Sequence, residues 1–127
     1  MEHLHPDDAY EQLENIYHSL IPGGVYICTT PNRLRGPRDI SVHFDKVATG
    51  FHLKEYTVLE LSSIFRKVGF SRVRVYVGAK WKYISLPVSP IVWLETLLNK
   101  LPFVLKRNIA QSRALSRFLG INLIGIK

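Results

Sequence analysis

The sequence of 127 residues has few of the features that mark secreted or membrane-embedded proteins. A single cysteine, Cys28, excludes an internal disulfide framework and any cysteine-based zinc site. No signal peptide is visible, because the chain opens with the polar and acidic segment Met1-Glu2-His3 and no apolar run follows it. The apolar stretch from Ile84 to Leu105 is interrupted by prolines and charges, which excludes a membrane span. We therefore expect a cytoplasmic protein, with peripheral membrane association as an alternative.

Acidic residues are scarce in the second half of the chain. Residues 61–127 contain twelve Lys and Arg and one acid, Glu95, whereas residues 1–60 contain five bases and nine acids. The net charge of +7 therefore comes from the second half. This asymmetry favours a basic surface for an anionic partner, although a solvated basic face has the same composition. One function consistent with it is a non-catalytic basic module that binds an anionic membrane or nucleic acid through residues 72–117.

The order of predicted elements indicates an α/β fold. A chain of this length forms one domain and is too short for a TIM barrel or a complete doubly wound enzyme. Apolar periodicity and turn residues predict a helix that begins at Pro6 and a strand at 25–30 that is buried on both faces. A long polar connection follows at 32–54. A second helix is predicted to begin with a capping box at Thr57, and a second strand is predicted at 72–79. Such alternation is typical of a sheet with crossover helices.

Residues 84–119 have a different pattern, which predicts helices. Ser89-Pro90 is typical of an N-cap followed by proline at the first helical position. Apolar residues at helical spacing follow as far as Leu101, and Pro102 ends that helix. A second, basic helix is expected from about Arg107 to Leu119, and residues 121–126 are expected to form the last strand.

Several segments match a known family in both order and spacing. These segments are Glu2-His3-Leu4, then after a helix Leu20-Ile21-Pro22-Gly23-Gly24-Val25-Tyr26-Ile27, then Thr30-Pro31-Asn32, Gly50-Phe51-His52-Leu53-Lys54-Glu55-Tyr56-Thr57, Glu60-Leu61 and Gly69-Phe70. Together they resemble the class I S-adenosylmethionine-dependent methyltransferases, in particular the branch that acts on small molecules. The resemblance covers residues 1 to about 80.

The resemblance implies a fold for the whole chain. The family has a seven-stranded, doubly wound, Rossmann-like sheet whose seventh strand is antiparallel, and residues 25–30, 72–79 and 121–126 would be strands five to seven. Residues 84–119 would then be a helical lid or insertion before the last strand. Residues 1–127 would form a single partial methyltransferase domain, corresponding to the family's C-terminal half.

The resemblance also implies a cofactor, S-adenosylmethionine, and a small-molecule methyl acceptor. The family holds the cofactor with a glycine-rich loop, but this sequence has no Gly-x-Gly-x-x-Gly, and Gly23-Gly24 precedes the wrong strand. We therefore expect weak cofactor binding by the chain alone and either an N-terminal half in another polypeptide or self-association. An inactive truncated fragment is the remaining alternative.

The resemblance implies that Glu2 and His3 follow the family's fourth strand, and other polar residues follow the predicted strand 25–30. Candidate site residues are expected there, because ligands bind at the carboxyl ends of strands in open α/β sheets. They are Glu2, His3, Pro31, Asn32 and His52. His3 and His52 are the candidate catalytic residues, since histidine can act as a general base near neutral pH. Glu2, Pro31 and Asn32 are candidates for substrate or cofactor contacts. Equally, His3 could cap the helix and Asn32 could be an ordinary turn residue.

Two groups of potential metal ligands occur in the sequence. They are His3, His5, Asp7 and Asp8 near the start, and His43, Asp45 and His52 in the long connection. Neither spacing matches a zinc pattern. The sequence therefore predicts no metal site.

Overall fold

The protein is represented by a computed structural model that describes residues 1–79, 82–113, 115–116 and 118–127. The described residues form α1 (Pro6–Ser19), β1 (Val25–Thr30), α2 (Val58–Val68), β2 (Arg72–Ala79), β3 (Lys82–Pro87), α3 (Val88–Asn99), α4 (Phe103–Gln111) and β4 (Ile121–Ile126). Two short 3-10 helices, Arg33–Arg35 and Ile40–His43, interrupt the long connection between β1 and α2. The mixed α/β architecture expected from the sequence is confirmed.

The first two helices begin at the residues that the sequence predicts. Pro6 occupies the first turn of α1. A capping box begins α2, because the Glu60 N–H donates to Thr57 Oγ1 at 3.2 Å and the Thr57 N–H donates to Glu60 Oε2 at 2.9 Å. Gly69 ends α2 with a φ of 120°, a conformation that favours glycine.

The four strands form one open sheet in the order β1-β4-β2-β3. Every pairing is antiparallel: β4 lies between β1 and β2, and β3 forms a hairpin with β2. The register pairs Thr30 with Ile121 on one side of β4 and Val75 with Leu123 on the other. Because β4 is antiparallel to both neighbours, β1 and β2 run in the same direction.

The core fills one face of this sheet. Leu13 of α1 and Leu61 and Phe65 of α2 pack with Val75 and Leu123 of the sheet in one cluster of buried residues. Alternation places Val25 and Ile27 on the opposite face, where each is about half exposed. The prediction that 25–30 is buried on both faces was therefore wrong. β1 is an edge strand, and nothing in the described part of the chain covers its outer face.

The segment between β2 and β4 also differs from its prediction. Residues 84–87 belong to strand β3 rather than to a helix, because they pair with β2. Helix α3 begins at Val88 after Pro87, with no side-chain cap from Ser89. Helix α4 covers Phe103–Gln111, so the prediction of a helix from about Arg107 to Leu119 was misplaced. The role of 84–119 as a lid stays a prediction.

A second, smaller buried cluster joins α3 and α4 to the long connection. It consists of Leu34, Leu98, Ala110 and Leu119, with Leu94, Leu101, Ile109 and Leu115 packed around it.

Among the described residues, no helix combines the length and the apolar character needed to cross a membrane.

Candidate functional site

Three of the predicted site residues meet in space. Glu2, His3 and His52 each contribute one potential ligand atom, and these atoms all lie within 4.8 Å of one another. The imidazole rings of His3 and His52 are edge to face, with their centroids 4.9 Å apart. Backbone bonds hold the two segments together: the carbonyl oxygen of Glu2 accepts from the N–H groups of Leu53 at 2.8 Å and Lys54 at 3.3 Å.

This cluster lies at the carboxyl end of β1. Thr30, the last residue of that strand, donates its hydroxyl to Glu2 Oε2 at 2.7 Å. Partial burial acts to raise the pKa of Glu2, but the Thr30 hydroxyl, a backbone hydrogen bond and nearby positive charge outweigh it, so the pKa lies below its ordinary value. Glu2 is therefore a carboxylate at neutral pH, fixed through one of its oxygens.

A buried carboxylate orients His52. Its Nδ1 donates to Glu55 Oε1 at 2.7 Å, and both side chains are almost entirely inaccessible to solvent. The same oxygen of Glu55 accepts from the backbone N–H of Arg38 at 2.7 Å. In the neutral imidazole, a proton on Nδ1 leaves the lone pair on Nε2 of His52.

His3 is held in the same tautomer. Its Nδ1 lies 3.2 Å from the carbonyl oxygen of Phe51, which can only accept, so Nδ1 is the donor. Its Nε2 lies 3.8 Å from Glu2 Oε1, and the side chain is 62% exposed. With both imidazoles neutral, the cluster presents two lone pairs and a carboxylate at a position that solvent reaches through His3. Such groups can accept a proton from a substrate or coordinate a metal ion.

Asp39 and Ser41 fix the backbone that precedes His52. Asp39 Oδ2 accepts from the N–H groups of Gly50 at 3.1 Å and His52 at 3.0 Å, and Oδ1 accepts from Ser41. The Ser41 hydroxyl in turn accepts from the N–H groups of Thr49 and Gly50. The His52 N–H, followed by the Ser41 hydroxyl, holds the pKa of Asp39 far below its ordinary value. This role of Asp39 and Ser41 was not predicted, although Asp and Ser side chains commonly form hydrogen bonds to nearby backbone.

Asn32 lies away from solvent, in a separate polar network. Its amide donates to Glu95 Oε1 at 2.7 Å, and its Oδ1 accepts from the N–H of Leu34 at 3.0 Å. Asn32 is completely buried, and it forms a single parallel bridge with Tyr56. These bonds hold the chain after β1 in place. The substrate or cofactor contact of Asn32, and that of its half-buried neighbour Pro31, stays a prediction.

Glu95 is a buried residue that sequence reasoning missed. Besides Asn32, it accepts from the N–H groups of Val58 at 2.9 Å and Leu59 at 3.2 Å, at the first turn of α2. Burial raises the pKa of Glu95 above its ordinary value, although these three donors act to lower it. The only signal in the sequence was that Glu95 is the sole acid among residues 61–127.

The meeting of His3 and His52 could not be read from sequence spacing. Each belongs to a different one of the two groups of potential ligands noted in the sequence, and neither group supplies the whole cluster. Comparisons of the chain with models of protein families, with curated proteins and with solved structures gave no match. Function is therefore argued from the geometry of the site.

Proposed function

We propose that this chain is the substrate-side part of a class I S-adenosylmethionine-dependent methyltransferase that acts on a small molecule. The observation that carries the proposal is the meeting of Glu2, His3 and His52 beside Thr30, at the carboxyl end of β1. Open α/β sheets bind their ligands at this end of their strands. The sequence resemblance placed candidate residues in these same three positions.

The strand directions support the same proposal. The resemblance expects the last strand to be antiparallel to the two preceding ones, and β4 is antiparallel to both β1 and β2. The crossover from β1 to β2 passes through α2, which packs on β2 and β4. A doubly wound sheet has helices on both faces. Within this proposal, the helices on the other face would come from a further polypeptide segment.

The adjacent glycines of this chain do not provide the glycine-rich loop that the family uses to hold S-adenosylmethionine. The adjacent glycines Gly23 and Gly24 use their N–H groups within the turn before β1, where Gly23 donates to the Lys127 carbonyl and Gly24 to the Ile21 carbonyl. We therefore propose that the glycine-rich contacts to the cofactor come from outside this chain. A partner that packs on the exposed face of β1, at Val25 and Ile27, would have to supply those contacts.

Within this proposal, the histidines position and deprotonate the methyl acceptor. His52 is the better general base, because Glu55 fixes its tautomer and stabilises the imidazolium that forms when Nε2 takes a proton. Glu2 would orient the acceptor through Oε1, since Thr30 occupies Oε2. His3 is exposed enough to close over a bound molecule.

The test combines the purified chain with an extract of its host cells and tritiated S-adenosylmethionine. We expect label in low-molecular-weight products that depends on the added chain. A general base contributes about 10²–10⁴-fold, so His52→Ala should lose most of that label, whereas the exposed control His18→Ala should keep it. Absence of chain-dependent label with a folded chain would contradict the proposal.

A titration of S-adenosylhomocysteine into the isolated chain tests the role of the partner. We expect no measurable binding and, in the same sample, sedimentation that shows self-association through the exposed sheet face. Micromolar binding, about −8 kcal/mol, by a compact monomer would show that the chain builds a cofactor site alone. That result would remove the need for a partner.

A second candidate function is docking on an anionic membrane, favoured by the surface of α3 and α4. In α4, Val104 is about two-thirds exposed and Leu105 about half exposed, and Lys106 and Arg107 follow them in the sequence. Trp93 of α3 is also about two-thirds exposed. Exposed aliphatic side chains such as Val104 and Leu105 among basic residues are typical of segments that lie in a membrane interface, whereas nucleic acids are bound through charge and aromatic stacking.

Vesicles distinguish the two anionic partners. Co-sedimentation with phosphatidylserine vesicles should exceed that with phosphatidylcholine vesicles and decrease with salt. Val104→Glu should abolish it with the positive charge otherwise intact. Salt-sensitive binding to DNA or RNA that Val104→Glu leaves unchanged would instead favour nucleic acid.

A further inference from the structure

We propose that Glu2, His3 and His52 bind one divalent transition-metal ion of the Zn²⁺ type, with Glu55 as the hydrogen-bond partner that orients His52. Two imidazole nitrogens and one carboxylate oxygen are a common ligand set of catalytic zinc sites, which leave a further position open for water or substrate. This inference does not depend on methyl transfer, because metal binding requires only these residues. It gives the same atoms a different use, since Nε2 of His52 cannot act as a general base while it binds a metal ion.

The spacing of the three ligand atoms is close to that of a bound site. Ligand atoms about 2.1 Å from a tetrahedral ion lie roughly 3.4 Å from one another. The three atoms here lie within 4.8 Å, so closure requires movements of about 1 Å. His3 can make such a movement, because its side chain is mostly exposed and its other contacts, to Glu2 and to the ring of His52, are with the two remaining ligands.

The surroundings of the ligands match those of built metal sites. Metal-binding histidines usually donate their second ring N–H to a carboxylate or a backbone carbonyl, which fixes the tautomer that can bind. Both partners are present, Glu55 for His52 and the Phe51 carbonyl for His3. Glu2 is restrained in the same way, because Thr30 binds Oε2 and Oε1 remains on the side of His3.

Glu55 provides an independent observation. Its side chain is about 2% exposed, and among the described residues its Oε2 is buried with no hydrogen-bond partner. A buried carboxylate is unfavourable unless positive charge and hydrogen bonds compensate it. A metal ion on Nε2 of His52 would supply positive charge across the imidazole ring. The alternative is a simple ion pair between Glu55 and a protonated His52, which binds no metal.

Titration with Co²⁺ distinguishes these arrangements, because Co²⁺ replaces Zn²⁺ and absorbs visible light when nitrogen and oxygen ligands surround it at low coordination number. The experiment uses the full chain without a histidine tag. We expect one Co²⁺ per chain, a visible band that Zn²⁺ displaces, and an unfolding midpoint that increases with Zn²⁺ concentration. No saturable band, or far less than one ion per chain, would overturn the proposal and leave the ion pair.

Variants assign the site. Glu55→Gln should weaken Co²⁺ binding by about 10–100-fold, as expected for a partner outside the ligand set. His3→Ala should weaken it further and still fold, since His3 is exposed, and His52→Ala should do the same if it folds. The matched control is His18→Ala, which removes another exposed histidine. Equal binding by His3→Ala and the wild type, or equal losses in His3→Ala and His18→Ala, would overturn the proposal.

Discussion

Replacement of Glu95 by alanine should destabilise the fold through the donors that it leaves behind. The side chain is 2% exposed and accepts from Asn32, from the Val58 N–H and from the Leu59 N–H. It therefore joins α3 both to the first turn of α2 and to the chain after β1. Alanine at this position would leave all three donors without their acceptor.

The magnitude follows from the number of donors that remain buried. Each buried donor without a partner costs about 1–3 kcal/mol, and two of the three, the Asn32 amide and the Val58 N–H, are in fully buried bonds. The gain from no longer burying a carboxylate offsets part of this cost. We therefore expect a loss of about 3 kcal/mol, a large fraction of the roughly 5–15 kcal/mol by which domains are stable.

The assay is urea unfolding monitored by circular dichroism. The unfolding midpoint and the slope of the free energy with urea concentration are compared between variants. Glu95→Gln keeps one acceptor oxygen and should lose about half as much stability as Glu95→Ala. Glu11→Ala, at an exposed position of α1, should change stability by less than about 0.5 kcal/mol. Asn32→Ala, alone and combined with Glu95→Ala, should show coupling of about 0.5–3 kcal/mol.

Two results would refute this reasoning. A loss below about 1 kcal/mol for Glu95→Ala would mean that water satisfies the released donors. Additive effects of Asn32→Ala and Glu95→Ala would mean that their hydrogen bond contributes nothing specific. In either case, the burial of Asn32 would need another explanation, such as a role in binding.

Three further predictions concern the core and the pH dependence of stability. Gly125→Ala should lower the free energy of unfolding by about 1–3 kcal/mol, because a Cβ there would lie 2.6 Å from a ring carbon of Phe70 and 2.7 Å from one of Phe65. A thermal melt measures this loss, and an unchanged Tm would contradict the tight packing. Burial raises the pKa of Cys28, so the native thiol should react with Ellman's reagent far more slowly than the urea-unfolded chain, and equal rates would show that it is exposed. Because folding raises the pKa of Glu95, the native state binds more protons, so its contribution to stability decreases as pH rises from about 4.5 through the folded pKa. Urea midpoints of the wild type relative to Glu95→Gln should therefore decrease across that range, and parallel curves would refute the shift.

Local sequence signals predicted the elements that depend on local interactions. The capping box at Thr57 and the glycine at 69 define α2 within the helix itself, and the alternation in 72–79 defines β2. The hairpin strand β3 was missed although its pairing with β2 is local, with Ala79 opposite Lys82. Short apolar runs fit a strand or a helix equally well, and residues 84–87 were assigned to the helical segment that follows them. The burial of β1 was predicted wrongly because the apolar run 25–30 does not show whether other elements cover one face of the strand or both.

The candidate site was predicted residue by residue but not as an arrangement. Sequence reasoning selected Glu2, His3 and His52 separately, from strand ends and a family resemblance. Their meeting depends on the docking of residues 51–54 against the segment before α1, which Asp39 and Ser41 stabilise. Glu95 was missed for a related reason, because a single acid in a basic region does not show that it is buried.

The central position of β4 has a consequence for the order in which the fold can form. Residues 121–126 are synthesised after every other described strand, yet they separate β1 from β2 in the finished sheet. Until these residues leave the ribosome, β1 has no partner strand within the described chain, and β2 has only its hairpin partner β3. Pairing over such separations closes long loops and slows folding. The nascent chain therefore presents open strand edges until its last described strand arrives, and that interval is when chaperones would protect it from aggregation.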